Sequence, residues 1–468
     1  MSAAASELDL DGLLALLPRY ATEGPRYTSY PTAPVWKDDY GPQDFVEDLG
    51  HEDVESSDGL SLYVHVPFCE SLCHFCACNK QITRDHGKAG PYLEAIEREI
   101  AAVREAVRVP RVATQLHWGG GTPTWLTPAE IHRLYTALEQ AFPVREGAEV
   151  SIEVDPRVTT DEHVAMLAEC GFNRISLGVQ DFDPSVQEAI RRIQPADQTA
   201  RLVERSRKAG FESVNFDLIY GLPYQTVDSF ERTLDTLFAL SPDRIALYSY
   251  AHVTWVAKQQ RGFERKDLPD GQTKLAILCM AIRRFLAEGY VFIGLDHFAR
   301  PEDELATALE DRTLRRNFMG HTTQAGVDLI GFGPSAISEL RRSYAQNTRD
   351  VAGWLDAIER RGLATMRGHR LSRDDLERRW VISRILCHSE LRASEFEEAF
   401  GRSFRDAYPG ELEALAGPAR DGLVEIAADG SLLVTPAGRL LVRNLAMPFD
   451  AYLAAQRQSG QRMFSKTV

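Results

Sequence analysis

The run Tyr63-Val64-His65-Val66-Pro67-Phe68-Cys69-Glu70-Ser71-Leu72-Cys73-His74-Phe75-Cys76-Ala77-Cys78-Asn79-Lys80 decides how this chain is read. A short β-rich segment, Ser61–Val66, leads directly into a loop that holds four cysteines within ten residues. An open dinucleotide-binding sheet would carry a Gly-x-Gly-x-x-Gly turn at this point, where backbone amides meet a pyrophosphate. Here thiols stand in its place. The first strand therefore ends in a site built for thiolate chemistry, and a barrel becomes the better architecture than an open Rossmann sheet.

Outward from that loop, β-rich runs recur at Ala113–Trp118, Glu149–Val154, Arg174–Val179, Ser213–Ile219, Arg244–Ser249 and Tyr290–Leu295. Helical segments alternate with them: Pro91–Val107, Pro128–Ala141, Ala196–Ala209 and Val227–Leu240. In the first, Leu93, Ile96, Ile100 and Val103 share one face behind an initial proline. Strand–helix alternation over this length predicts an α/β fold with a parallel sheet covered by helices. The near-continuous apolar character of several strands predicts burial on both faces, in a partial TIM-type barrel. Such a barrel carries its chemistry on the carboxyl ends of its strands. Gly119-Gly120-Gly121-Thr122-Pro123-Thr124 follows strand two, and Glu153 and Asp155 end strand three. Gln180 and Asp181 end strand four, Asp217 lies near the end of strand five, and Tyr250-Ala251-His252 follows strand six.

Three domains are expected. Residues 1–45 form a leader with Pro25, Pro31 and Pro34, which break regular structure, and with aromatic residues that predict packing on the barrel. Residues 46–370 form the catalytic barrel. Residues 371–468 read as a small, mostly helical, winged-helix-like domain covering the barrel mouth. Its helices are Leu371–Ile385 and Ala393–Phe400, and a hairpin turns at Asp429-Gly430. Winged helices often bind DNA, but a net charge of -15 opposes a nucleic-acid partner. No apolar run is long enough for a membrane span, and Met1 to Asp9 lacks the basic start of a signal peptide. A cytoplasmic protein is expected. An odd count of seven cysteines then argues against a disulfide framework, and Cys170, Cys279 and Cys387 read as buried, inert thiols.

The C-x3-C-x2-C spacing of Cys69, Cys73 and Cys76 suits one [4Fe–4S] cube wrapped by a tight loop. Three thiolates leave one iron open to the amino and carboxylate groups of S-adenosylmethionine. Phe75 is placed to wall the adenine. A structural zinc site is the competing reading, but zinc favours two separate cysteine pairs, and no second pair is present. Cys78 is ambiguous from spacing alone. As a fourth ligand it would close the site; as a non-ligand it is free to act near the substrate.

Further segments carry a resemblance. The cysteine loop, the Gly119–Thr124 segment and Glu153 resemble the radical S-adenosylmethionine superfamily. Within it, Tyr63-Val-His65-Val-Pro67-Phe-Cys69, Cys78-Asn79-Lys80, Arg26-Tyr27-Thr28-Ser29-Tyr30-Pro31, Tyr250-Ala251-His252, Gly333-Pro-Ser335-Ala-Ile337-Ser338, Arg439-Leu-Leu-Val-Arg443-Asn444 and Met447-Pro-Phe449-Asp450 resemble the oxygen-independent coproporphyrinogen III oxidases. Ala77 departs from a common glycine and Thr254 from a common proline. The resemblance implies two S-adenosylmethionine molecules. Tyr63, Gly120, Glu153 and Ile337 would surround the first; Phe75, Gly121, Thr122, Gln180, Arg192, Asp217 and Ala251 would touch the second. Tyr63, His65 and Cys78 would serve catalysis. The reaction implied turns two propionates of coproporphyrinogen III into vinyl groups and needs an electron donor and an acceptor, both unidentified. Arg26, Lys80, Arg315 and Arg316 are expected to face the substrate's carboxylates, and a monomer is expected. The same scaffold also serves haem chaperone-like proteins and radical methyltransferases, the alternative readings.

Overall fold

In a computed structural model, residues 15–16, 18–51, 59–254, 257–324, 326–458 and 464 are described. The chain divides into two compact units, one of residues 37–281 and 326–370, the other of residues 1–36, 282–325 and 371–468.

The first unit holds a parallel sheet. Its strands are β1 (Leu60–Val66), β2 (Ala113–Gly120), β3 (Val144–Val154), β4 (Arg174–Gln180), β5 (Ser213–Tyr220), β6 (Arg244–Ser249) and β7 (Asp328–Phe332). They lie in the order β7-β1-β2-β3-β4-β5-β6, every neighbouring pair parallel. Three antiparallel strands, β8 (Ile337–Glu339), β9 (Ser343–Asn347) and β10 (Thr365–Arg370), extend the sheet beyond β7. The crossovers include α1 (Ala89–Ala106), α2 (Pro128–Ala141), α3 (Asp161–Glu169), α4 (Ala196–Lys208) and α5 (Val227–Leu240); α6 (Val351–Arg361) links β9 to β10. Helix starts are written locally. Thr127, Thr160 and Thr226 cap α2, α3 and α5, each accepting from the amide three residues on.

The strands alternate instead of being apolar on both faces. On β1, Leu60, Leu62, Val64 and Val66 are wholly buried on one side, while Tyr63 and His65 point to the other. On β2, Leu116 and Trp118 face the core, and His117 and Gly119 face away from it; on β3 the split is Val150 and Ile152 against Ser151 and Glu153. On β5 it is Val214, Phe216 and Leu218 against Asn215 and Asp217. Each fully buried aliphatic side chain contributes about 1.5–3 kcal/mol. This helix-side layer fixes the register, and a one-residue slip would bury the polar row.

The seventh parallel strand is β7, not the expected Tyr290–Leu295. That run forms Val291–Gly294, which belongs to the second unit and pairs antiparallel with His297–Ala299. In this unit Tyr27 and Tyr30 of the leader are buried; the Tyr27 hydroxyl donates to Asp450 (3.1 Å), and the Ala451 amide donates to Tyr30. Between helices α7 (Arg373–His388) and α8 (Ala393–Phe400) lies Glu390–Leu391, which joins Val424–Ile426 and Leu432–Val434 in a three-stranded antiparallel sheet. Among the described residues no helix is long and apolar enough to cross a membrane.

Candidate active site

The lumen-facing polar residues of β1 to β5 form one continuous row, because parallel register sets them side by side. Tyr63 lies opposite His117, His117 opposite Ser151, Glu153 opposite Ser176, and Ser176 opposite Asn215. Side-chain contacts follow that order. The Tyr63 and His117 rings stack with centroids 6.0 Å apart. His117 Nδ1 is 2.7 Å from Ser151 Oγ, and its Nε2 is 3.4 Å from Glu153 Oε1. Asn215 Nδ2 and Ser176 Oγ donate to the two oxygens of Asp217 at 3.0 and 3.2 Å.

The protonation of this row follows from its contacts. His65 Nε2 lies 2.9 Å from the Asn79 carbonyl, an acceptor, so this nitrogen carries the proton. Nδ1 then accepts from the Tyr63 hydroxyl at 3.0 Å. Burial pushes the His65 pKa down and keeps the ring neutral. Burial would raise Glu153, but hydrogen bonds from His117 and the Gly120 amide, with the His117 charge, outweigh it and hold the carboxyl below its ordinary value. Asp217 goes the other way. Burial first, and the Glu153 charge second, push it up to about 7. Two carboxyls on one wall are thereby split into an ionised one and a titrating one.

The glycine segment at the end of β2 brings backbone against this row. A Cβ on Gly119 would lie 2.9 Å from the Glu153 carboxyl, and one on Gly120, which has φ +117°, 2.7 Å from the His65 ring. Only glycine tolerates both the backbone angle and the closeness at position 120. The segment is tied to the cysteine loop: the Gly121 amide donates to the Val66 carbonyl and the Thr122 amide to the Phe68 carbonyl, both at 2.8 Å.

Cys69, Cys73 and Cys76 are free thiols; burial first, with the Cys76 and Cys73 charges adding to it, pushes the Cys69 thiol up to about 11. Each sulfur has a donor aimed at it. Thr122 Oγ1 donates to Cys69 Sγ at 3.5 Å, Arg157 Nη2 and Arg192 Nη1 to Cys73 Sγ at 3.4 and 3.6 Å, and the Cys78 thiol to Cys76. That last bond, with the Lys80 ammonium, draws Cys76 down toward the thiolate. Three thiols in one loop, each sulfur with a donor aimed at it, are what a [4Fe–4S] cluster with one open iron asks of its ligands. The residues therefore fit a [4Fe–4S] cluster.

The other expected residues fall as follows. Phe75 packs on the apolar group of Val186, Ile190, Ile219, Leu222, Tyr250 and Phe263. Gln260 Nε2 donates to both the Phe75 carbonyl (2.9 Å) and the Ala251 carbonyl (3.1 Å), which joins these two residues. Gln180 is buried with φ +70°, and Arg192 is held by the Gly178 carbonyl and Asp155. Ile337 opens β8, its backbone against Gly331, which pairs with Tyr63. Cys78 is exposed. Lys80 donates to the Cys76 and Cys78 carbonyls, Arg26 pairs with Asp296, and Arg315 donates to the Leu314 carbonyl. The sequence reading passed over His117, Ser176, Asn215, Arg157, Gln260 and the buried Glu99. Glu99 accepts from the Gly333 amide and from Asn347, each at 2.7 Å, and so props the Gly333 turn against β1.

Comparison with known proteins gives this geometry a family. Residues 63–237 match the Radical SAM superfamily and residues 371–441 the HemN C-terminal domain. An oxygen-independent coproporphyrinogen III oxidase of Salmonella typhimurium is 44% identical over 463 residues, covering 99% of this chain and 100% of the relative. The protein of the same name from Escherichia coli K12 is 44% identical over 459 residues, covering 98% and 99%. The solved structure of Escherichia coli coproporphyrinogen III oxidase (HemN), described as a radical SAM enzyme, aligns with a TM-score of 0.89 at 43% identity, covering 94% of this chain and 98% of that one. Fold and thiol loop thus define a radical S-adenosylmethionine protein with a [4Fe–4S] cluster. Within that class, the chain belongs to the oxygen-independent coproporphyrinogen III oxidase family. Identity along the full length does not favour the haem chaperone-like or methyltransferase readings.

Proposed function

We propose that this protein is an oxidoreductase that converts two propionate side chains of coproporphyrinogen III to vinyl groups without oxygen, giving protoporphyrinogen IX. The observation that carries this reading is 44% identity along the full length to a coproporphyrinogen III oxidase, beside a thiol loop whose sulfurs each receive a donor. When bound, the reduced cluster supplies the electron that splits S-adenosylmethionine into methionine and a 5′-deoxyadenosyl radical. Each vinyl group would form by loss of one hydrogen atom from the propionate β-carbon, carbon dioxide, and one electron passed to an acceptor.

The chain's own residues bind and orient. Cys69, Cys73 and Cys76 hold the cluster. Tyr63, Gly120, Glu153 and Ile337 surround one S-adenosylmethionine, with ionised Glu153 accepting from its ammonium group. Phe75, Gly121, Thr122, Gln180, Arg192, Asp217 and Ala251 take a second. Tyr63 spends its proton on His65, so its oxygen is left as an acceptor. Cys78, exposed beside the cluster loop, acts at the substrate. The protein works in the cytoplasm.

The test is an anaerobic assay with reconstituted protein, reductant, S-adenosylmethionine and coproporphyrinogen III, following 5′-deoxyadenosine and protoporphyrinogen together. Both should accumulate. Formation of 5′-deoxyadenosine with the porphyrinogen untouched would reject the substrate.

A further inference from the structure

One ligand sulfur carries more positive charge than the others. Cys73 Sγ receives Arg157 Nη2 at 3.4 Å and Arg192 Nη1 at 3.6 Å. Both guanidiniums share one carboxylate, Asp155, with Nη2 of Arg157 at 2.6 Å and Nη1 of Arg192 at 2.9 Å from the same oxygen. All three side chains are largely buried: 17% of Arg157, 10% of Asp155 and 7% of Arg192 remains exposed. Two cations and one anion leave a surplus positive charge at the sulfur, where little water screens it.

The two arginines have different work. Arg192 is spent on the Gly178 carbonyl through Nε and Nη2. Arg157 bonds Asp155 Oδ1 through Nε at 3.0 Å and Oδ2 through Nη2 at 2.6 Å, and this fork fixes its plane. The carboxylate thus aims the remaining Arg157 hydrogens at Cys73. Burial opposes the charge on Asp155, but Arg192 and Arg157 outweigh it and hold the carboxyl at about 2, so the network stays ionised.

We propose that Arg157, aimed by Asp155, is a positioning residue that raises the reduction potential of the cluster through its charge and N–H···S bond at Cys73. Hydrogen bonds to cluster sulfur and nearby positive charge both stabilise the reduced state, which holds one more electron. Arg157 thereby sets how weak an electron donor can still load the cluster. The inference rests on the cluster, not on the porphyrinogen substrate.

The test compares wild type with Arg157→Lys and Arg157→Gln, each reconstituted anaerobically and analysed for iron and sulfide, then titrated potentiometrically by EPR. Arg157→Gln keeps an N–H but loses the charge, so its midpoint should move to more negative potential. Arg157→Lys keeps the charge without the fork and should fall between. The proposal is overturned if Arg157→Gln, with its iron and sulfide complete, titrates at the wild-type potential. It is equally overturned if neither variant holds a cluster, because Arg157 would then be a structural requirement. A wild-type protein without iron and sulfide would instead strike at the cluster itself.

Discussion

Asp217 shows how single residues in this lumen divide their labour. Its carboxyl titrates at about 7 in the fold, because of burial and then Glu153, while an unfolded aspartate titrates at about 3.9. Below about pH 4 both states carry the proton and the group costs nothing. Between about pH 4 and 7 the folded chain holds a proton that the unfolded chain has lost, so stability falls as pH rises. Above about pH 7 the penalty is complete, at most about 4 kcal/mol. Asp217→Asn removes it. The apo variant should melt above wild type at pH 8, and the gap should close as pH approaches about 4; an equal gap at both pH values would contradict the assignment. On the proposed role of Asp217, the same variant should bind a second S-adenosylmethionine roughly tenfold or more weakly, from loss of a charged acceptor, as read by equilibrium binding. Cys78→Ala should keep full iron and sulfide but form no vinyl product; loss of iron would make Cys78 a ligand. Glu153, Gln180 and Asp217 were legible because each lies near a strand's carboxyl end. His117 and Asn215 were hidden by reading their strands as buried on both faces. Arg157 lies in a loop without a motif. The burial of Glu99 arises only when α1 meets the Gly333 turn.

At the scale of elements, β1 and β2 act as one device through Gly120. A methyl group there must fit a φ of +117° and displace the His65 ring from 2.7 Å. Gly120→Ala should therefore cost about 1–3 kcal/mol and should also break the Tyr63–His65–Asn79 chain. Its check is paired: a lower melting temperature, and weaker binding of S-adenosylmethionine to reconstituted protein. A drop in stability with unchanged binding would leave Gly120 a packing residue alone. Most elements were legible because their local signals agree with the fold: Pro128–Ala141 and Val227–Leu240 match their expected bounds and begin at threonine caps. Two misreadings have physical causes. β7 was missed because Gly331 interrupts its short apolar run, a glycine imposed by the Ile337 carbonyl, 2.5 Å from where a Cβ would stand. Val291–Gly294 is a strand, as expected, but its antiparallel pairing was hidden because its hairpin turns at Leu295, with φ +53°, and not at an Asn-Gly or Asp-Gly pair.

The whole molecule sets a final constraint, because a chain of net charge -15 is proposed to admit a substrate with four carboxylates. At about 10 mM salt the Debye length is about 30 Å, so an approaching substrate feels the global negative field; at about 0.1 M it shrinks to about 10 Å, and local charges decide. Lys80, Arg157 and Arg192 are cations in contact with the thiol loop. They are partly committed to carbonyls, sulfur and Asp155, and they attract over short range only. The two fields therefore separate by distance. kcat/KM for coproporphyrinogen III should rise from about 10 mM to about 0.1 M salt as repulsion is screened, then fall toward about 1 M as the local attraction is lost. Lys80→Gln should retain the rise and flatten the fall. Measurement under anaerobic conditions with saturating S-adenosylmethionine decides it: a kcat/KM that only declines from the lowest salt would mean that the local cations outweigh the global charge at every distance.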